Sequence, residues 1–319
     1  MNKTAGNNLK GSLILLLTAF IWGIAFAFQK QSMDFVGPFF FVFIRMFLGG
    51  LTLFIFYHIS RLFSKTKKKD EKDIQVFKNN KKSIIKGGIA TGIVIFFGSS
   101  LQQTGLLFTS ASEAAFITAL YMILVPVIGI FLKHKTHWNT WISVCIALIG
   151  IYLLSITSKF TIEIGDLIVL ISTFFWASHI LITDYFAKKL SHSAVILMCT
   201  LQFSIASFIS FIGYLIFDSH LITTSITLDL LLKAAPSILY VGILSTGVAF
   251  TLQAVGQKYA APAVATLVMS LESVFGAVGG IFILSERLDL RESIGCTLVF
   301  IAVLLAQITV KSKKKELQV

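Results

Sequence analysis

The sequence predicts an all-α polytopic membrane protein, with ten transmembrane helices arranged as two inverted five-helix repeats. Three observations carry this expectation. The chain is 56% hydrophobic and only 13% charged, whereas a soluble domain would be about 25% charged; its mean hydropathy is +0.86. Apolar runs of about 20 residues, each long enough to span ~30 Å of hydrocarbon as a helix, recur along its length. The run Gln102–Leu132 also resembles Gln253–Ile283, 151 residues later.

Lipid offers a backbone no hydrogen-bond partner, so each run must be helical. The spans run Gly11–Met33, Pro38–Ser60, Ile84–Phe108, Ser110–Leu132 and Trp138–Ile156. The second half follows with Gly165–Asp184, Ser193–Phe217, Ala234–Gln257, Ala260–Leu284 and Arg291–Val310. Residues 11–156 therefore form one repeat and 165–310 the other, with a basic loop at 61–82 and a basic tail at 311–319. The longest polar connections, Arg61–Lys82 and Asp218–Asp229, are too small for a soluble domain. The first run resembles a signal peptide, because Lys3 and Lys10 precede an apolar stretch ending in Ala25-Phe26-Ala27. Its apolar character continues into an aromatic-rich stretch with a counterpart later in the chain, so it is expected to remain uncleaved.

Charge placement sets the expected orientation. With the N-terminus inside, Lys30, Lys159, Lys233, Arg287 and Arg291 fall outside, and Arg45 lies in the membrane. The rest of the 27 Lys and Arg lie on the cytoplasmic side, concentrated at Arg61–Lys86 and Lys311–Lys315. This follows the positive-inside rule and predicts a multi-pass membrane protein with both termini cytoplasmic. The net charge of +12 then reflects topology and attraction to anionic lipid rather than nucleic-acid binding. Cys145, Cys199 and Cys296 are odd in number and all lie within spans, which implies neither a disulfide framework nor a zinc site. No cofactor is expected. The chain has no Gly-x-x-x-x-Gly-Lys-Ser/Thr loop for a nucleotide. It also has no Gly-x-Ser-x-Gly or His-Glu-x-x-His run, which weakens an intramembrane hydrolase reading.

The duplication bears on mechanism. Gln102/Gln253, Gly105/Gly256 and Gly129-Ile130-Phe131/Gly280-Ile281-Phe282 are identical between the two runs. Phe20-Ile21-Trp22-Gly23 aligns with Phe174-Phe175-Trp176-Ala177 at an offset of 154. Five spans per copy is odd, so the second copy enters the membrane upside down. That is the architecture of alternating-access carriers, whose substrate site lies near the midplane between the halves. Gly88/Gly92, Gly276/Gly280 and Ala111, Ala115 and Ala119 are four apart, a spacing that lets helices pack closely.

The run Gln102-Gln103-Thr104-Gly105-Leu106-Leu107-Phe108-Thr109-Ser110-Ala111-Ser112 leads into Ala115-Phe116-Ile117-Thr118-Ala119-Leu120-Tyr121 and Val125-Pro126. Later come Ala249-Phe250-Thr251-Leu252-Gln253, Ser270-Leu271-Glu272-Ser273-Val274-Phe275 and Ser285-Glu286-Arg287-Leu288. Together, over nearly the whole chain, these resemble the EamA branch of the drug/metabolite transporter superfamily. The resemblance implies a ten-helix inner-membrane carrier, many members being exporters of amino acids or other small metabolites. The family often has Pro after the mid-helix Glu. Here the residue is Ser273, which leaves a kink at that point without a proline to cause it.

Glu272 is the leading candidate for coupling or substrate contact. Burial disfavours a carboxylate's charge, and a group that gains and loses a proton as its exposure changes can drive proton exchange. The competing reading is a permanently paired Glu that holds the halves together. Arg45, about a third of the way into span two, could bind a substrate carboxylate, pair with Glu272, or snorkel to the interface. Trp22, Trp176, Tyr121, Phe116, Phe250 and Phe275 are candidates for an aromatic cavity, although in a chain with 30 Phe most aromatics must simply pack. Gln102, Gln103, Gln202 and Gln253 are expected in a wet cavity, because an amide in hydrocarbon needs partners. Glu113 and Glu286 sit near span ends, and the resemblance marks Glu286 as a structural corner. His179 and Asp184 invite a metal, but five residues apart puts them ~140° apart around a helix; His134 and His137 lie beside Lys133 and Lys135. Neither pair makes a cation site.

The expected function is thus a secondary carrier that exports a small organic metabolite, amino-acid-like, with protons as the coupling partner. Efflux of lipophilic cations is the alternative within transport. An intramembrane enzyme or a non-transporting scaffold is the alternative outside it.

Overall fold

The structure is a computed structural model describing residues 3–62, 67–133, 136–155, 163–218, 220, 226–277 and 290–316. Among these residues every regular element is helical. Seven helices are long and apolar enough to cross a membrane: Leu9–Ser32, Pro38–Ser60, Asn80–Gly105, Glu113–Phe131, Ile164–Ala187, His192–Asp218 and Leu228–Gln257. Two shorter apolar helices, Trp138–Leu154 and Pro262–Ala277, occupy the fifth and ninth expected spans. The tenth lies within a helix over Leu290–Glu316. We call the face where span one begins the near face and the opposite one the far face.

Span one shows how one sequence pattern serves both lipid and core. Leu13, Leu17 and Phe20 recur at helical spacing and are exposed, whereas Leu15, Thr18, Ala19 and Ala25 are fully buried. An apolar stripe left outward is unfavourable in water but suits a hydrocarbon surround. The polar stretch read as a loop at 61–82 is helical from Lys67 and continues into span three as one helix, Lys67–Gly105. Lys, Glu and Gln are good helix formers, so the helix need not stop where the apolar run does.

The packing repeats under exchange of the two halves. Span one packs on span eight as span six packs on span three, and spans two and seven cross each other, as do spans five and ten. At the last crossing Gly150 and Gly295 are in close apposition, since a Cβ on Gly295 would lie 2.6 Å from the Gly150 carbonyl oxygen.

Two spans are interrupted, at equivalent places. Span four consists of Ala111–Ala119 and Tyr121–Phe131, joined at Leu120. Span nine contains Pro262–Met269, a turn at Ser270 and Leu271, and a helical segment over residues 272–277. Leu120 and Leu271 are 151 positions apart, the repeat offset. Both breaks tighten to three-residue hydrogen bonds, from Leu120 N to Ile117 O and from Leu271 N to Val268 O. In span nine the Thr266 and Ser270 hydroxyls also donate back to the carbonyls of Ala263 and Leu267, contacts that bend helices. Span nine thus breaks one step before Glu272 without a proline at 273. The starts of these spans are specified too. Ser110 and Glu113 form a reciprocal capping box, and Pro262 occupies the first turn of its helix, where its missing N–H costs nothing.

Span eight begins earlier than its apolar run, at Leu228, and is π-helical from Tyr240 to Ala249 before resuming as Phe250–Gln257. Irregular backbone of this kind often marks functional sites. Span seven ends in a π turn, Tyr214–Asp218. The Asp218 carboxylate there accepts from Phe39 N at 3.1 Å and Phe40 N at 2.8 Å, capping span two.

Candidate functional site

The interrupted spans four and nine, with spans one, two, three, six and eight, enclose a cavity. It is lined by Trp22, Phe26, Gln29, Arg45, Gln102, Thr118, Tyr121, Trp176, Ile180, Ser245, Phe250, Gln253 and Glu272. The space it spans is about 490 Å³, part of which is continuous with the surroundings.

Repeat-equivalent positions meet here. Trp22 and Trp176, Phe26 and Ile180, Gln102 and Gln253, and Tyr121 and Glu272 are four such pairs, and all eight line the one cavity. The last pair is in direct contact, Tyr121 Oη donating to Glu272 Oε1 at 3.0 Å. Each of these two residues opens the helical segment after its span's break. The interruption turns the first residue of the new segment inward, and the carboxylate finds its partner across the axis relating the halves.

Aromatic rings form one side. The Phe250 ring stacks on Trp176 at 5.8 Å and tilts against Trp22 at 4.7 Å. Trp22 Nε1 donates to the Ser245 carbonyl at 3.1 Å, within the π-helical stretch. A polar chain forms another side. Trp176 Nε1 donates to Gln102 Oε1 at 2.7 Å, while Gln102 Nε2 and Arg45 Nη1 both reach Gln29 Oε1, at 3.4 and 3.0 Å. Gln103 Nε2 donates to the Gln29 carbonyl at 3.0 Å. Arg45 is 3% exposed, so it does not snorkel, and no ion pair joins it to Glu272. Its Nε and Nη2 are buried without a hydrogen-bond partner among the described residues, as are both amide atoms of Gln253.

At each face a lysine donates to main-chain carbonyls between spans. At the far face Lys30 Nζ, from span one, donates to Leu106 O at 2.7 Å and Thr109 O at 2.9 Å, in the connection between spans three and four. At the near face Lys258, between spans eight and nine, donates to Leu190 O, just after span six. Exchange of the halves relates the two arrangements: span one corresponds to span six, and the connection between spans three and four to that between eight and nine. Burial draws the Lys258 ammonium pKa below the usual lysine value.

Of the sequence candidates, Glu272, Arg45, Gln102, Gln253, Tyr121, Trp22, Trp176 and Phe250 converge on the cavity. Gln103 supports its polar wall from behind. Phe116 does not line it but packs edge-on against Tyr152, and Phe275 packs edge-on against Phe20. Both sit on cavity-forming spans but on the helix faces turned away. Gln202 lies within 3.1 Å of His179 Nε2 behind the aromatic wall, and Asp184 pairs with Lys188 a turn away. Glu113 is consumed by the capping box, while Glu286 lies outside the described residues. Gln29, Thr118 and Ser245 were not singled out. Gln29 carries the same signal as Gln102, an amide inside an apolar run. Ser245 offers its carbonyl, which no side-chain pattern announces.

Residues 9–156 and 163–307 each match the model of the EamA-like transporter family. A protein of Archaeoglobus fulgidus named as an uncharacterized transporter is 30% identical over 305 residues, covering 95% of this chain and 87% of that protein. A crystal structure of a protein 14% identical in sequence superimposes with a TM-score of 0.71, over 95% of this chain and 98% of its own.

Proposed function

Because the chain belongs to the EamA-like transporter family, we propose that it is a secondary carrier exporting a small, amino-acid-like organic solute across the plasma membrane. Transport proceeds by alternating access, in exchange for protons. The chain is a multi-pass membrane transporter by its family and its apolar helices; the solute, the direction and the coupling are our reading.

The observation that carries it is the convergence of repeat-equivalent residues on one cavity at the breaks of spans four and nine. A carrier needs a central site reachable from either face in turn. A site built from two copies of one motif, related by a two-fold axis in the membrane plane, supplies this with two states of similar energy. In this reading the near face is cytoplasmic and its basic residues meet anionic lipid. The Lys30 and Lys258 contacts are then the far-face and near-face closures that open in turn. Glu272 takes and releases the proton, with Tyr121 as its partner while the solute site is empty.

The test is flux in proteoliposomes with an imposed pH gradient, together with solutes in the medium of cells overexpressing the protein. Glu272→Gln should abolish gradient-driven transport and leave counterflow exchange of the same solute intact. Unchanged gradient dependence in that variant refutes the coupling role. A chemically altered product in sealed vesicles would instead point to an enzyme.

A further inference from the structure

We propose that the transported solute carries a carboxylate and that Arg45 binds it side-on through Nε and Nη2; this rests on the carrier reading above and names the chemical class that its site takes.

A guanidinium buried in the membrane is costly and is ordinarily paired. Arg45 is 3% exposed, yet among the described residues its one hydrogen bond goes to a neutral amide oxygen, Gln29 Oε1. Nε and Nη2 are the two nitrogens whose N–H groups run parallel along one edge of the guanidinium. That edge matches the two oxygens of a carboxylate, the strongest bidentate arrangement available to Arg. Both nitrogens are buried and without a partner, on a side chain that lines the cavity. Glu272, the carboxylate in the same cavity, already accepts from Tyr121 and makes no ion pair with Arg45. The unmet demand of the site is therefore for an anion. Gln29 holds the opposite edge of the guanidinium and is itself joined through Gln102 to Trp176. Gln29 thus fixes one nitrogen of the fork in a cavity that Trp22, Trp176 and Phe250 also line, and those rings would take the apolar body of the solute. This arrangement disfavours a permanent lipophilic cation, which would meet a buried positive charge.

The experiment uses the purified full-length protein in detergent and matched probes: acetate, hexanoate, phenylacetate and phenylalanine, each against its primary amide, with tetraphenylphosphonium as the cation. Affinity is read from the concentration dependence of the melting temperature. At least one acid should bind the wild type more tightly than its amide, by on the order of 10–100-fold from a lost charged bidentate contact. Arg45→Gln should erase that preference, and Arg45→Lys should keep a weaker one because a point charge cannot fork. Without ligand, Arg45→Gln should melt no lower than the wild type, since it removes a buried charge that is met only by the neutral Gln29 Oε1 and by the Phe41 ring 5.9 Å away. A structural arginine would give the opposite result. No acid preferred over its amide, an unchanged preference in Arg45→Gln, or a ligand-free loss of stability in that variant overturns the proposal. In that case Glu272-dependent flux of a solute without a carboxylate leaves the carrier reading standing, while absence of any flux removes it.

Discussion

Gly23→Ala separates packing from composition at the centre of the molecule. Gly23 lies on span one directly against the break in span nine. A Cβ placed there would sit 2.5 Å from the Glu272 carbonyl oxygen, 2.7 Å from Gly276 N and 2.8 Å from Phe275 Cβ. Carbon atoms in contact prefer about 3.5–4.0 Å, so the two spans must part by roughly 1 Å. Two of the three atoms are backbone, and no rotamer change relieves them. Overpacking of this kind costs about 1–3 kcal/mol, and each 1.4 kcal/mol is about tenfold in the unfolding equilibrium. Gly276→Ala is the internal control: its Cβ would meet Gly23 O at 3.3 Å and nothing else closer than 3.8 Å, a misfit of a few tenths of an ångström. The assay is reversible unfolding in mixed detergent, followed by thermal melting of the three proteins side by side. Gly23→Ala should lose about 1–3 kcal/mol and Gly276→Ala well under half of that. Because the parted surfaces flank Trp22 and Glu272, gradient-driven flux should fall with stability in Gly23→Ala alone. Equal melting of the two alanine variants would refute the argument, since both add one methyl to the same interface.

The two lysine closures should act in opposite senses. With a single reporter cysteine at Thr118 in a cysteine-free background, Lys30→Met should speed labelling by a membrane-impermeant thiol reagent from the far face. Lys258→Met should speed it from the near face. A charged hydrogen bond is worth about 1.5–3 kcal/mol when buried, and both of these are part-buried, so a shift of up to about tenfold in labelling rate is expected for each. If both variants shift labelling from the same face, the closures are not a pair. Asp218→Ala should cost about 1 kcal/mol through loss of the cap on span two. Faster amide exchange at Phe39 and Phe40 would report it directly, and unchanged exchange there would mean that water replaces the carboxylate at no cost.

Much of this protein is legible in its sequence because lipid simplifies the physics. A backbone that must satisfy itself can only be helical, so apolar runs alone locate the spans, and the repeat offset relates the halves before any contact is known. Offsets of 154 and 151 made Trp22 with Trp176, and Gln102 with Gln253, visible as pairs. A lone carboxylate amid apolar residues marked Glu272 by its cost. Other features needed the tertiary structure. Whether Arg45 pairs with Glu272 turns on a few ångströms across four helices, and only the folded chain shows Tyr121 taking the carboxylate and Gln29 taking one edge of the guanidinium. Phe116 and Tyr121 are both aromatic and five residues apart on one span, yet the break at Leu120 sends one into the cavity and leaves the other in the packing. That break shows in a short backbone bond from Leu120 N to Ile117 O, which no residue type in the run announces. Composition and period determine which segments enter the membrane, since every residue contributes to transfer from water. Which side chains face one another is decided by packing between segments distant in sequence, where a single carbonyl or methyl group tips the arrangement.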